Sequence, residues 1–333
     1  MKTRMIVPAA ISVLAVMSAL CGCKGGNIPS SASGVYFDTI VNIDIYGSTQ
    51  NDRDRILDEC MNLCARYEGL FDKNTDTSDI ARINHSNGEP VSVDADTVSL
   101  INEALKYSKL SDGRFDITID PVSSLWDFHD EEGKIPDDEK LEEAVSKVNF
   151  KNVYVNENDM TVTVRDGASL DAGGVAKGYI ADRIAEYVSG CNISGAVINI
   201  GGDIRVVGTK PDKSGFNIGI NDPFKSGVAA ALTLSDKAVA TSGTYERCFT
   251  TDGRKYHHIL DTRTGYPVSA DMESVTVVTQ SAADADCLCT VCIIEGFDKA
   301  MDLIENTENT EAVFILSDGS IKTTSGLCGL IRY

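Results

Sequence analysis

The chain has 333 residues, of which 42% are hydrophobic and 24% are charged. These proportions exclude a wholly disordered protein, and the length predicts one large domain or two closely packed lobes. The formal net charge of −20 would repel the phosphate backbone of DNA or RNA, so we expect no nucleic acid partner. A small anionic substrate would need a local cation or a metal to offset that charge.

The amino terminus has the pattern of a bacterial export signal with a lipid-attachment site. Two basic residues precede an apolar stretch from Met5 to Leu20, which is near the lower length limit for a membrane-spanning helix. The stretch ends in Leu-Cys-Gly-Cys, which resembles a lipobox with a small residue before the acylated cysteine, Cys23. We therefore predict a removed signal at 1–22 and a flexible polar tether at 23–34, with the lipid on Cys23. The alternative is a plain secretory signal that is cleaved nearby.

An anchor of this kind predicts a location at the bacterial cell membrane, with the folded part on the extracytoplasmic side. No later segment of the sequence is long and apolar enough to span a bilayer. Residues 35–333 are therefore expected to form one folded domain that the membrane holds only through the lipid.

Hydrophobic periodicity and turn residues predict strands and helices throughout this domain. The predicted strands are residues 35–46, 153–155, 160–164, 195–200, 216–220, 229–234, 238–241, 275–279, 312–316 and 320–323. The predicted helices are residues 52–71, a short turn at 78–84, 94–110, 139–148, 180–188, 283–294 and 297–305. Strands and helices do not alternate regularly, which favours the α+β class and a single large mixed α/β domain.

Three cysteines near the carboxyl terminus are closely spaced and resemble a metal cluster at first sight. Cys287, Cys289 and Cys292 lie in an apolar segment, however, and lack the paired spacing of a structural zinc site. We expect them to be buried free thiols that act as small core residues.

Residues 170–179 form the sharpest glycine-rich cluster, Leu-Asp-Ala-Gly-Gly-Val-Ala-Lys-Gly-Tyr, between a predicted strand and a predicted helix. Glycines at the start of a helix let the backbone approach a phosphate or a metal closely, and the helix N-terminus favours negative charge. Lys177 would add a positive charge for a phosphate. The spacing fits neither a Walker A loop nor a G-x-G-x-x-G fingerprint. On this pattern alone, a simple tight turn is as good an interpretation as a phosphate site.

Two further patterns carry side chains that suit a metal or a proton transfer. Asp286 and Thr290 are four residues apart on a predicted helix, so they share one face, and their oxygens suit a hard cation such as Mg2+. The alternative is an acid near a helix N-terminus beside a buried threonine. His257 and His258 are adjacent, and in a strand they would point to opposite faces, so at most one of them reaches a given site.

Residues 112–121, Asp-Gly-Arg-Phe-Asp-Ile-Thr-Ile-Asp-Pro, are followed by Trp-Asp-Phe and resemble the D-G-x-F-D-x-T-x-x-P…W-x-F block of the ApbE family, the FAD:protein FMN transferases. Further segments resemble other signatures of that family in the same order, namely residues 170–179, 199–205, 241–247, 258–267 and 285–290. Together they cover nearly the whole chain from about Phe37. The chain departs from the family in having Phe-Asp-Thr in place of Met-Gly-Thr at 37–39, and in Cys287 and Cys289, where alanines are common.

The resemblance implies an ApbE-like, T-fold-like catalytic domain that moves the FMN half of FAD to a threonine or serine hydroxyl of an acceptor protein and releases AMP. It implies a redox-pump or respiratory subunit as acceptor, a Mg2+ ion held by Gly174, Asp286 and Thr290, and His258 as the base for the acceptor hydroxyl. The FAD contacts that it implies are Phe37, Asn74, Arg114, Phe115, Asp116, Asp171, Lys177 and Leu260. Two alternatives stay open: a Mg2+-dependent FAD pyrophosphatase that yields FMN and AMP, and a non-catalytic flavin-binding lipoprotein.

Overall fold

The computed structural model describes residues 28–128, 130, 133–328 and 330–332. The predicted signal, the predicted lipid attachment at Cys23 and most of the predicted tether lie outside these residues. Within them, no helix is both long enough and apolar enough to cross a membrane. The folded part starts earlier than predicted, because residues 30–34 of the expected tether already belong to the first strand.

The described residues form helices and strands in the mixed order that the sequence predicts. The helices are α1 (Gln50–Phe71), α2 (Asp79–Asn84), α3 (Ala95–Leu110), α4 (Asp120–Ser123), α5 (Asp138–Val145), α6 (Ala176–Ser189), α7 (Ala282–Glu295) and α8 (Phe297–Glu305). The strands are β1 (Ser30–Tyr36), β2 (Thr39–Tyr46), β3 (Val91–Ser92), β4 (Val153–Asn156), β5 (Thr161–Val164), β6 (Gly195–Ile200), β7 (Asp203–Gly208), β8 (Phe216–Asn221), β9 (Val228–Leu234), β10 (Ala238–Gly243), β11 (Cys248–Thr251), β12 (Arg254–His257), β13 (Met272–Thr279), β14 (Glu311–Leu316), β15 (Ile321–Thr323) and β16 (Ile331–Arg332).

One large antiparallel sheet organises the fold, in the strand order β1-β2-β6-β7-β10-β13-β14-β15. Smaller sheets with the orders β16-β9-β8 and β3-β5-β4 accompany it, together with the two-stranded hairpin β11-β12. The central strands of the large sheet are buried on both faces. Ala240 and Val277 contribute to the core that includes α1, α6 and α7, whereas Val239 and Val278 contribute to the core shared with β8 and β9. Because successive side chains of a strand point to opposite faces, one strand serves both cores.

Helices α6 and α7 pack very closely, and this contact positions the charged part of the site. A Cβ atom on Gly178 would lie 2.2 Å from the carbonyl oxygen of Ala282, so only glycine permits the approach. The side chain of Ser281 caps α7, and Asp182 of α6 accepts the N–H of Ala282 at 2.9 Å. The β-branched tail of α7 is helical because its side chains are buried in the core, which outweighs their weak helix propensity.

The hairpin of β1 and β2 differs from the single strand predicted at 35–46. The chain turns at Phe37 and Asp38, whose φ angles are 55° and 54°. Two-residue hairpin turns with positive φ favour glycine and asparagine, and neither occurs here, so the usual turn signal is missing from the sequence. Strand β7 is a second difference, because the sequence predicts no strand at 203–208, whereas the glycine pair at 201–202 turns the chain back along β6.

Candidate active site

A cavity of about 550 Å³, a volume typical of small-molecule sites, is lined by residues between 37 and 294. The residues predicted from the sequence that line it are Phe37, Asn74, Arg114, Phe115, Asp116, Asp171, Gly174, Lys177, His258, Leu260, Asp286 and Thr290. The structure therefore brings every predicted substrate, metal and proton-transfer residue to a single cavity, although the chain carries them far apart.

The glycine turn at 170–179 leads into α6 and is braced on both sides. Asp171 Oδ1 accepts the N–H of Gly173 at 2.9 Å, and the N–H of Asp171 donates to the carbonyl oxygen of Ile117 at 2.8 Å. A Cβ atom on Gly174 would lie 2.9 Å from the ring of Phe115, so a side chain there would displace the ring. The turn therefore presents backbone groups to the cavity, as close approach to a phosphate or a metal requires.

Lys177, in the first turn of α6, lies between two buried carboxylates. Its Nζ is 3.0 Å from Asp286 Oδ1 and 2.8 Å from Asp203 Oδ2. Burial alone would lower the pKa of Lys177, but the two carboxylates outweigh it and raise that pKa. Burial, followed by the charge of Asp286, raises the pKa of Asp203. The predicted FAD contact thus also holds the predicted metal-binding carboxylate in place.

Oxygen atoms of Gly174, Asp286 and Thr290 form the candidate metal site. Asp286 and Thr290 share one face of α7, as predicted, and the hydroxyl of Thr290 lies 3.4 Å from that of Ser242 on β10. The thiol of Cys287 donates a hydrogen bond to the Gly174 carbonyl at 3.4 Å, which leaves that oxygen a second lone pair. Every candidate ligand atom is an oxygen, and a single carboxylate supplies the charge, which is a donor set suited to a hard cation.

His258 follows β12 and lines the cavity as a neutral imidazole. Its Nδ1 lies 3.2 Å from the carbonyl oxygen of Glu246. Because a carbonyl only accepts, Nδ1 carries the proton and Nε2 keeps its lone pair. Burial, followed by the charge of Arg247, lowers the pKa of His258 to about 4. The ring is therefore neutral near pH 7 and can accept a proton at Nε2.

His257 has a different environment from its neighbour. It is buried, and its Nε2 donates to the carbonyl oxygen of Val268 at 3.2 Å. It does not belong to the lining of the cavity, so only one histidine of the pair reaches the site, as the alternation along a strand predicts.

Two of the predicted FAD contacts brace the cavity wall through hydrogen bonds within the protein. Arg114 donates to Glu295 Oε2 at 3.1 Å and to the carbonyl oxygen of Ile294 at 2.8 Å, which ties its segment to the end of α7. The carboxylate of Asp116 accepts the N–H of Phe150 at 2.8 Å, and burial raises its pKa. Both side chains therefore shape the wall in addition to bordering the cavity.

Phe37, Asn74 and Leu260 complete the predicted wall. Phe37 lies in the hairpin turn, where its N–H donates to Glu68 Oε1 of α1 at 2.8 Å. Asn74 lies in the loop after α1, and Leu260 is buried in the aromatic cluster around Trp126. The cavity thus has an aromatic side as well as a charged one.

Asp203 and Lys73 are two of the charged residues near the site that the sequence prediction omits. Asp203 is buried beside Lys177, and the two glycines before it at a strand end are a signal that could have indicated it. Lys73 lines the cavity and pairs with Asp171 at 2.8 Å. No pattern in its loop singles it out, because its role depends on a partner 98 positions away.

Residues 37–314 match the ApbE family. The chain belongs to that family. It is 31% identical over 293 residues to the FAD:protein FMN transferase of Treponema pallidum (strain Nichols), covering 83% of this chain and 81% of that protein. It is 33% identical over 267 residues to the FAD:protein FMN transferase of Klebsiella pneumoniae (strain 342), covering 79% of this chain and 83% of that protein. The crystal structure of the ApbE protein from Thermotoga maritima matches with a TM-score of 0.84 and 32% identity, covering 92% of this chain and all of the other.

These matches confirm the resemblance to the ApbE family and the single mixed α/β domain expected from it. The cysteines at the two positions where the family commonly has alanine, Cys287 and Cys289, are fully buried, as is Cys292. Every cysteine within the described part of the chain is a free thiol, which agrees with the expectation for this cluster.

Proposed function

We propose that this protein is an FAD:protein FMN transferase, which attaches FMN to a threonine or serine of an acceptor protein. The observation that carries the proposal is a single cavity that combines the oxygen donors of Gly174, Asp286 and Thr290 with the neutral ring of His258. Nucleotidyl transfer at a pyrophosphate needs both parts, because charge grows on phosphate oxygens while a hydroxyl loses its proton. The names of the Treponema and Klebsiella relatives support FAD as the substrate.

The donor set fits Mg2+ by its chemistry. A carboxylate, a hydroxyl and a backbone carbonyl are the oxygen ligands that this ion prefers, and water and phosphate oxygens would complete its coordination. Within the described ranges no group of three or more histidine, cysteine or acidic side chains could hold a metal. When bound, Mg2+ would neutralise charge that develops on the phosphate.

The remaining steps use the protein's own groups. His258 accepts the proton of the acceptor hydroxyl at Nε2, and the hydroxyl oxygen forms a bond to the FMN phosphorus. The bond from that phosphorus to the bridging oxygen breaks, and AMP leaves. The N-terminus of α6 offers backbone N–H groups and a partial positive charge to a pyrophosphate in a protein with a net charge of −20. Lys177 holds the carboxylate of Asp286 beside them.

The test is an incubation of the protein with FAD, Mg2+ and a flavin-acceptor domain, followed by in-gel flavin fluorescence and chromatography of the free nucleotides. A fluorescent acceptor with an equal amount of AMP supports the transferase. Free FMN and AMP with an unlabelled acceptor would assign a pyrophosphatase instead. Binding of FAD without either product would assign a flavin-binding lipoprotein.

We also propose that the protein is held at the bacterial cell membrane, on the extracytoplasmic side, by acyl chains on Cys23. The pattern of residues 1–34 supports this, and the acceptor would then be a membrane-associated redox-pump or respiratory subunit. Cys23→Ala should abolish incorporation of radioactive palmitate in cells, whereas Cys21→Ala should retain it. Continued labelling of the Cys23→Ala protein would contradict the anchor.

A further inference from the structure

Lys73 lies where three segments at the edge of the cavity meet. Its Nζ is 2.5 Å from Asp120 Oδ1, 2.8 Å from Asp171 Oδ2 and 3.2 Å from Ser123 Oγ. Lys73 follows α1, Asp120 begins α4, and Asp171 opens the glycine turn. The lysine side chain is 23% exposed and those of the two acids 17% and 21%, so most of the cluster is shielded from water and its ion pairs are weakly screened.

The bonding of Lys73 argues against direct binding of a phosphate. An ammonium group has three hydrogens, and two carboxylates and a serine hydroxyl lie within reach of them. The two acids also carry twice the charge of the single lysine, so no positive charge is left over for an anionic substrate. Lys73 therefore acts on the cavity through its neighbours.

Asp171 connects Lys73 to the glycine turn at 170–179 through hydrogen bonds. Its Oδ2 accepts from Lys73 and from Ser123, the latter at 2.7 Å, while its Oδ1 accepts the N–H of Gly173 at 2.9 Å. Glycines have no side chain to restrict their backbone, so the turn depends on such contacts for its shape. The carbonyl of Gly174, one residue further, is the oxygen assigned above to the metal.

We propose that Lys73 is a positioning residue that fixes the glycine turn, through Asp171, in the geometry in which the Gly174 carbonyl binds the metal. This inference rests on the proposed function, in which Gly174 is a metal ligand. Without Lys73, the carboxylates of Asp120 and Asp171 would repel each other, and Asp171 would turn away from the N–H of Gly173. The metal affinity should then suffer more than the affinity for FAD.

The test compares Lys73→Met with Lys73→Arg in the full-length protein. Mn2+ serves as the metal probe, and the electron paramagnetic resonance signal of the free ion measures its binding in the presence of FAD. Loss of a residue that orients a metal ligand changes metal affinity by about 10- to 100-fold, so we expect a loss of about tenfold for Lys73→Met. Lys73→Arg keeps the charge and should restore most of the affinity.

Two further readouts separate positioning from a general loss of structure. Saturating Mg2+ should return the kcat of Lys73→Met toward the wild-type value, and FAD affinity measured without metal should fall much less than the Mn2+ affinity. Lys147→Met is the matched control, because it removes a lysine whose 2.7 Å ion pair with Glu143 lies outside the cavity lining. It should leave both affinities unchanged.

Wild-type Mn2+ affinity in Lys73→Met would overturn the inference while leaving the proposed function intact. A loss of FAD affinity without metal that is as large as the loss of Mn2+ affinity would also overturn it, because Lys73 would then bind the substrate directly. If Lys73→Met does not fold, the double variant Lys73→Met, Asp120→Asn removes one acid with the lysine and allows the same measurement. Absence of Mn2+ binding and of FAD turnover in the wild-type protein would overturn the proposed function itself.

Discussion

The two sides of the cavity are built on different principles. On the charged side, Lys177 and Asp286 lie on the closely packed helices α6 and α7, and each is balanced by an opposite charge. On the other side, His258 follows the small hairpin β11-β12, next to the aromatic cluster around Trp126, and its ring is neutral. Buried charges are tolerated only with close partners, whereas a neutral imidazole needs none. This difference fits the proposed function, in which the charged side holds the pyrophosphate and the side around the neutral ring of His258 admits the acceptor hydroxyl.

The largest effect should come from the charged side. Asp286→Ala removes the single carboxylate of the proposed metal site, and the loss of charge stabilisation amounts to several kcal/mol, or about a thousandfold in kcat/KM. Flavin transfer to an acceptor, measured across a range of Mg2+ concentrations, checks this. Asp298→Ala, an exposed acid in the first turn of α8, is the control and should retain full activity. If Asp286→Ala stayed active at low Mg2+, Asp286 would not be the metal ligand, and the charged side would not have the role proposed for it.

A substitution on the neutral side should lower activity less than Asp286→Ala does, and it should change kcat more than KM. His258→Ala should lower kcat by about a hundredfold, the usual contribution of a general base, with little change in KM for FAD. The exposed His85→Ala is its control. Equal losses in kcat and in FAD affinity would show that His258 binds the substrate, so that the two sides would not differ in their roles.

The pH dependence of the wild-type enzyme tests whether His258 is neutral at the pH of the reaction. A pKa lowered to about 4 means that His258 stays neutral well below the pH at which a free histidine takes up a proton. The activity of the base should therefore persist through mildly acidic pH and be lost only as the pH falls toward that pKa. A profile of kcat/KM against pH checks the position of the acidic limb. A limb near the ordinary histidine value of about 6.5 would contradict the lowered pKa of His258.

A smaller effect, on stability and on metal affinity, is expected when the contact between α6 and α7 is changed. Gly178→Ala places a methyl group against the backbone of Ala282, and overpacking of this kind costs about 1–3 kcal/mol in the free energy of unfolding. Thermal unfolding should show the loss, and Mn2+ affinity should fall because Lys177 and Asp286 move apart. Gly69→Ala is the matched control, since a Cβ there, in the last turn of α1, meets nothing within 4 Å. A stable Gly178→Ala protein would mean that the charged side is less rigid than its packing indicates.

The smallest effect should come from the hairpin turn at Phe37 and Asp38, which borders the cavity. Asp38→Gly relieves a left-handed backbone conformation and should raise the free energy of unfolding by about 0.5–1 kcal/mol. Asp44→Gly, within strand β2, should lower it. Thermal unfolding measures both, and a loss of stability in Asp38→Gly would show that the aspartate side chain itself stabilises the turn.

The α+β class, most of the helices and, with the family resemblance, part of the cavity lining could be predicted from the sequence. The glycine turn at 170–179, the shared helix face of Asp286 and Thr290, and the opposite faces of His257 and His258 could be predicted because each depends on near neighbours in the chain. Periodicity and turn chemistry act over a few residues, so the sequence records them directly.

How these segments pack against one another is visible only in the folded structure. The turn at Phe37 and Asp38 has no glycine to mark it, and its amide is satisfied by Glu68, which is 31 positions away. Lys73 and Asp203 acquire their roles from Asp171 and Lys177, partners that only the packed fold brings within 3 Å. Pairings of this kind depend on how distant segments pack together, and no local pattern in the sequence specifies that packing.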